Sequence, residues 1–149
     1  MNIIYEKTAL GAFYKLVQEG QDKIGVSLEQ DLEAFLVFAL LRNMDQIYLK
    51  DVNFALEILD AIQTTHINQL EVILDKSLII GGLYPKRVSK LGVSPNYIYG
   101  VGMMACDHLV AYYKKIRSGY ADIYNKIKRR FEILIVLLQS LRRNFQFGK

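Results

Sequence analysis

Cys106 and His108, in the stretch VGMMACDHLV, pair a thiol with an imidazole two positions apart and so invite a chemical reading. A nucleophilic cysteine needs a base within hydrogen-bond reach. On a helix, residues two apart point to different sides, so this pair makes a poor dyad. The sequence holds one cysteine and two histidines, His66 and His108. It has no Glu-x-x-His motif to set metal ligands on bundle helices, no paired Cys-x-x-Cys and no glycine-rich phosphate loop. Acids, bases and nucleophiles do not cluster at catalytic spacing. The expectation is a non-enzymatic protein with no catalytic residues, metal or cofactor. Cys106 then reads as a small core residue and His108 as a polar tip on a helix face.

Charge and aromatic content offer binding chemistry instead. Residues 1–113 carry 9 basic and 13 acidic side chains, residues 114–149 carry 10 and 2, so the parts stand at −4 and +8. Such asymmetry suits an anionic partner at the C-terminal end, or the acidic part of the same or a neighbouring chain. Seven of the ten tyrosines fall between Tyr84 and Tyr124, among them Tyr112, Tyr113 and Tyr120 beside Lys114, Lys115 and Arg117. Rings next to cations can stack single-stranded bases. Tyrosine is also the usual residue of protein interfaces, and that is the simpler expectation. Lys126, Arg129 and Arg130 add a basic stripe on one helix face.

Both prolines lie in YPKRVSKLGVSPNYIYGVG, Tyr84 to Gly102. Pro85 can open a short helix to Leu91, Gly92 can turn the chain, and Ser94 with Pro95 can start a second helix. Within it, KLGVSPNYI resembles the centre of the helix-turn-helix of repressor families. That resemblance implies phosphate contacts from Lys86, Arg87 and Lys90, and groove contacts from Asn96 and Tyr99. The second helix would expose Ser94, Asn96, Tyr99 and Gly100, none of them the Arg or Lys most used to read bases. Nucleic-acid binding through this segment and the basic C-terminal helices is therefore the alternative function. The segment LYPKRVSKLGVSPNYIYGVG, within Leu83 to Ala111, is also similar to one shared by small, uncharacterised helical proteins of proteobacteria. This resemblance implies a bacterial, all-helical, cytosolic protein and carries no known activity.

The elements that must position these residues read as helices throughout, with no strand. Leu10, Phe13, Tyr14 and Val17 share a face of a first helix ending near Gly20. Ser27 and Gln30 form a capping box for a second. Its all-round apolar run from Ala34 to Leu41 marks it as the central element. Asp51 caps a third helix, with Phe54, Ile58 and Ile62 on one face. A fourth carries Ile67, Leu70, Ile73, Leu74 and Leu78 and stops at Gly81 and Gly82. The fifth runs from Ser94 to about Arg117. Inside it, Gly102, Ala105 and Cys106 make a strip of small side chains that suits close approach by another helix. The alternative for that strip is a pocket for a small apolar ligand, lined by Tyr97, Gly102, Met103, Met104 and Tyr112.

The last helix carries Tyr120, Tyr124, Ile127, Phe131, Leu134, Leu138, Leu141 and Phe145 at alternating spacings of four and three, a coiled-coil-like seam. Such a seam serves a bundle or a partner helix, and the expectation is a homodimer built through Tyr120 to Phe145. The whole chain, 1–149, reads as one all-α bundle of about six helices with a long C-terminal helix. No apolar run approaches the roughly 20 residues a membrane span needs. A single cysteine and the lack of a signal-like apolar segment at the start suggest the cytoplasm. The function expected is a self-associating interaction or scaffold module.

Overall fold

Three glycines set the architecture. In the computed structural model, which describes residues 2–43, 67–86, 92 and 94–145, the regular elements of those residues are all helical. They are α1 (Asn2–Ile24), α2 (Gln30–Arg42), α3 (Ile67–Leu83), α4 (Pro95–Lys115), α5 (Tyr120–Arg129) and α6 (Phe131–Ser140), followed by a 3-10 turn (Arg142–Phe145). The helix expected from Asp51 lies outside the described residues.

Gly20 on α1, Gly82 on α3 and Gly102 on α4 each stand where a side chain of α6 presses in. A Cβ at Gly20 would lie 2.9 Å from Leu137 Cδ2, one at Gly82 2.4 Å from Leu138 Cβ, and one at Gly102 2.2 Å from Phe131 Cζ. Glycine is what allows these three helices to pack so near α6. Phe131, Leu134, Leu137 and Leu138 are accordingly buried, and Leu141 just beyond them as well. Among the described residues α6 is thus the helix on which α1 and α3 both close, whereas composition pointed to α2. Leu32, Leu36, Val37, Ala39 and Leu40 of α2 are buried but Phe38 is 41% exposed, so its apolar run is not covered all round; among the described residues α2 packs chiefly on α1. Gly20, which read as a helix stop, lies within α1, whereas α3 does end at Leu83, just past Gly81 and Gly82. The first helix ends instead at Gly25, whose φ of +69° is the left-handed value glycine adopts without cost.

The C-terminal helix is broken once. Arg130, at φ −106° and ψ 12°, separates α5 from α6. The bonds from Arg130 N–H to the Lys126 carbonyl (3.0 Å) and from Leu134 N–H to the Arg130 carbonyl (2.9 Å) still carry the ladder across. The apolar seam therefore keeps its phase, and Ile127, Phe131, Leu134, Leu138 and Leu141 are all fully buried within one chain. The stretch of the expected dimer seam from Ile127 to Leu141 is therefore covered within the chain and offers no apolar face to a partner helix. Only Tyr120, at 65%, and the half-buried Tyr124 stay accessible in its first turns.

Two caps tell opposite stories. Ser94 accepts the Tyr97 N–H at 3.0 Å with Pro95 following, as the sequence implies. Ser27 is exposed and caps nothing; the N-cap of α2 is Glu29, without a side-chain bond. The intervening loop is held by buried Gln21, which accepts the Leu28 N–H at 2.7 Å and donates to Glu33 at 2.6 Å.

Buried Asp75 of α3 fastens the end of α2. Arg42 donates to it through Nε at 3.1 Å and Nη2 at 3.2 Å, and Asn43 Nδ2 at 3.3 Å. Burial nevertheless pushes its carboxyl above the ordinary value of 3.8, with Arg42 and Asn43 pulling it back. An acid with a raised folded pKa holds more protons folded than unfolded, so stability falls as pH rises from about 3.8 through the folded value. Removing Arg42 carries that window upward. Arg42→Ala should cost about 1–2 kcal/mol at neutral pH and less at an acidic pH low enough to protonate Asp75 in both proteins. The figure is below that for fully buried pairs because Arg42 is 52% exposed. Urea midpoints at the two pH values check this, and an equal loss at both would remove the ion pair from the account.

Candidate partner-binding site

The hairpin of α4 and α5 ends in a tip where apolar and cationic side chains meet solvent together. Tyr113 organises it. Its ring stacks on Tyr124 (centroids 5.5 Å apart, planes at 4°) and takes edge contacts from Tyr112 at 5.1 Å and Tyr120 at 5.5 Å. Each such pair adds about 0.5–1.5 kcal/mol beyond area burial. Below the rings, Glu71 of α3 accepts the Tyr124 hydroxyl at 2.5 Å and the Tyr113 hydroxyl at 3.2 Å on one carboxylate oxygen. Burial and the neighbouring Glu71 carboxylate push both phenols above their ordinary value, so both stay protonated as donors at neutral pH. The aromatic cluster is thereby tied to a third helix.

Above this base, Tyr112 is 39%, Ile116 52% and Tyr120 65% exposed. Large apolar groups left in water at one end of a helical hairpin form a patch of the kind that partners cover. Lys114, Lys115 and Arg117 surround it, all exposed. Tyr120 also walls an open groove of about 750 Å³ with Ser118, Asp122, Lys126 and Arg129.

The basic stripe expected on α5 is partly neutralised. Lys126 lies 2.7 Å from Glu29 and 2.8 Å from Asp31 of the first turns of α2. Its bond holds the Asp31 carboxyl below the usual range. Lys128 pairs with Asp107. The charge of Lys126, one of the cations expected to meet a nucleic acid, is thus answered within the chain. Arg129 is exposed and Arg130 half-buried at the helix break.

Of the helix-turn-helix residues, Lys86 is exposed, and Arg87 and Lys90 lie outside the described residues. Gly92 turns the chain at φ +78°. Asn96 and Tyr99 line a cleft of about 450 Å³ with Pro85, Gln139 and Glu132, whose carboxylate opposes a phosphate there. The Tyr99 ring meets Phe131 edge-on at 5.2 Å. This cleft and the tyrosine tip occupy opposite ends of α4.

The ligand pocket expected beside Gly102 is filled. Phe131 and Ser77 Oγ occupy the space that a missing side chain leaves. Met103 packs half-buried against the core, Met104 is half-buried, and its carbonyl lies 3.1 Å from His108 Nδ1. Tyr97 and Tyr112 are fifteen residues apart, roughly 22 Å along the helix, and share no cavity. Cys106 is fully buried, and burial pushes its thiol up to about 12, so it is a protonated core residue at neutral pH. Among the described residues, no three His, Cys, Asp or Glu side chains group to hold a metal ion, and no helix is long and apolar enough to cross a membrane.

The groups that sequence reasoning passed over are Glu71 and Asp75. Two acids four apart inside INQLEVILDKSLII were the available signal, because acids set into an apolar helix face need partners. Comparison with protein-family models, curated proteins and solved structures finds no match to this chain, so its function must be sought in its own surface chemistry.

Proposed function

We propose that this chain is a non-enzymatic helical interaction module that docks a partner on the tip of the α4–α5 hairpin. The carrying observation is the joint exposure of Tyr112, Ile116 and Tyr120 at one tip, on an aromatic base fixed by Glu71. Preorganised tyrosines lose little side-chain freedom on binding, which is why such residues dominate interface energetics. Self-pairing through the C-terminal seam has no part in this function, because that seam is the bundle's own core.

The test is a peptide-display selection on the folded protein, with the variant Tyr112→Ser, Ile116→Ser, Tyr120→Ser as comparator. These side chains are exposed, so the variant should melt within a few degrees of the parent. Selected peptides should bind the variant at least about tenfold more weakly, the loss expected on removing an interface hot spot. Peptides that bind both proteins equally would overturn the tip as the docking surface.

A further inference from the structure

Arg117 stands in a backbone position that favours glycine. Its φ is +56°, and among the described residues it is the one non-glycine with positive φ. The local hydrogen bonds explain the demand. Ser118 N–H donates to the Tyr113 carbonyl at 2.8 Å and Arg117 N–H to the Lys114 carbonyl at 3.0 Å. These paired bonds close the end of a helix through one left-handed residue, and glycine is the usual occupant because it has no Cβ to crowd the backbone. A glycine is present two residues later, yet Gly119 takes φ −63°, which any residue adopts. The strained position therefore carries a guanidinium at the centre of an exposed patch, and retained strain of this kind gathers at functional sites.

The charges around it are unanswered. Lys126 and Lys128 have acidic partners, and the Glu71 carboxylate is engaged by phenols, whereas Lys114, Lys115 and Arg117 form no ion pair among the described residues. The negative end of the α4 dipole accounts for cations in its last turn. It does not account for arginine at a position shaped for glycine, which a lysine or arginine one residue away would have left free.

Resting on the tip as the docking surface, we infer that Arg117 binds a carboxylate of an acidic, amphipathic segment of a partner protein, whose apolar side chain covers Ile116. Charge complementarity selects the occupant. A second copy docked tip to tip would oppose Lys114, Lys115 and Arg117 with their own like charges. A single nucleic-acid strand would find the Tyr113 ring stacked on Tyr124 and edged by Tyr112 and Tyr120, and an aliphatic Ile116 with no role toward base or phosphate. An anionic lipid surface is flat and extended and would meet the exposed Asp122 of the first turn of α5, which a single peptide segment laid over Ile116 can leave to one side. Carboxylates suit the guanidinium best, because its fork of donors matches their two oxygens.

The experiment uses fluorescence anisotropy with a helical peptide carrying two glutamates four residues apart beside a leucine, and its glutamine counterpart. Arg117→Gly should raise the unfolding midpoint by about 2 °C by relieving the backbone. The same variant should weaken the glutamate peptide about tenfold, or about 1.4 kcal/mol, and leave the glutamine peptide unchanged. Arg117→Asn, which tolerates the left-handed backbone without charge, should lose the same affinity. If both peptides bind equally and Arg117→Gly changes neither, while the triple serine variant abolishes both, the carboxylate assignment is overturned and the docking surface stands. If the glutamate peptide binds and the triple serine variant leaves it untouched, the docking surface itself fails. Arg117-dependent binding of oligothymidylate or phosphatidylserine vesicles, with no binding of the glutamate peptide, overturns the acidic protein partner.

Discussion

Phe131→Ala should cost about 3–5 kcal/mol of unfolding free energy, the range for removing a fully buried phenylalanine. For a domain of this length that lowers the melting temperature by roughly 10 °C. The ring is fully buried where α6 begins, takes an edge contact from Tyr99, and fills the space opposite Gly102. Truncation leaves a cavity bounded by helices that already touch backbone to side chain, so little collapse is available to soften the loss. Chemical denaturation followed by circular dichroism measures it. A cost below about 1 kcal/mol would mean a loosely packed junction, and with it room for the ligand pocket that the glycine strip first suggested.

Gly82→Ala should be nearly as damaging, at about 3 kcal/mol, the upper end of ordinary overpacking. The added methyl would lie 2.4 Å from Leu138 Cβ, an atom that no change of rotamer can move. Relief requires α3 and α6 to separate, which loosens their whole contact. Gly100 supplies the control: it is exposed on α4, and a Cβ there meets nothing within 4 Å. Gly100→Ala should stabilise the protein by up to about 1 kcal/mol through helix propensity and a less flexible unfolded chain. Matching responses at the two sites would refute the assignment of Gly82 to a helix crossing.

These glycines show what could be read from sequence and what could not. Helix periodicity, the Ser94–Pro95 start and the close-packing strip at Gly102 rest on local spacing, and each stands in the structure. Gly20 misled, and the crossing at Gly82 went unseen beside its helix end, because a glycine permits either a chain reversal or a close crossing and only the partner helix decides which. The seam from Ile127 to Leu141 was legible as a contact surface, but its spacing is the same for a neighbour in the bundle or in another chain. Apolar composition placed α2 at the centre, yet centrality depends on the number of packed neighbours, and among the described residues α6 has α1 and α3 packed along it and meets α4 where Phe131 faces Gly102. The tip was half visible: the tyrosines and cations of 112–120 stand together in the sequence. The Glu71 base comes from 42 positions upstream of Tyr113, and the left-handed Arg117 leaves no trace in residue type.

The most direct test of the tip as the working surface is amide chemical-shift mapping with display-selected peptides bound to the full chain. Shifts should centre on residues 112–122 and reach Glu71 through the phenol hydrogen bonds. Shifts centred on the cleft of Pro85, Asn96, Tyr99 and Glu132, with 112–122 unmoved, would contradict the account.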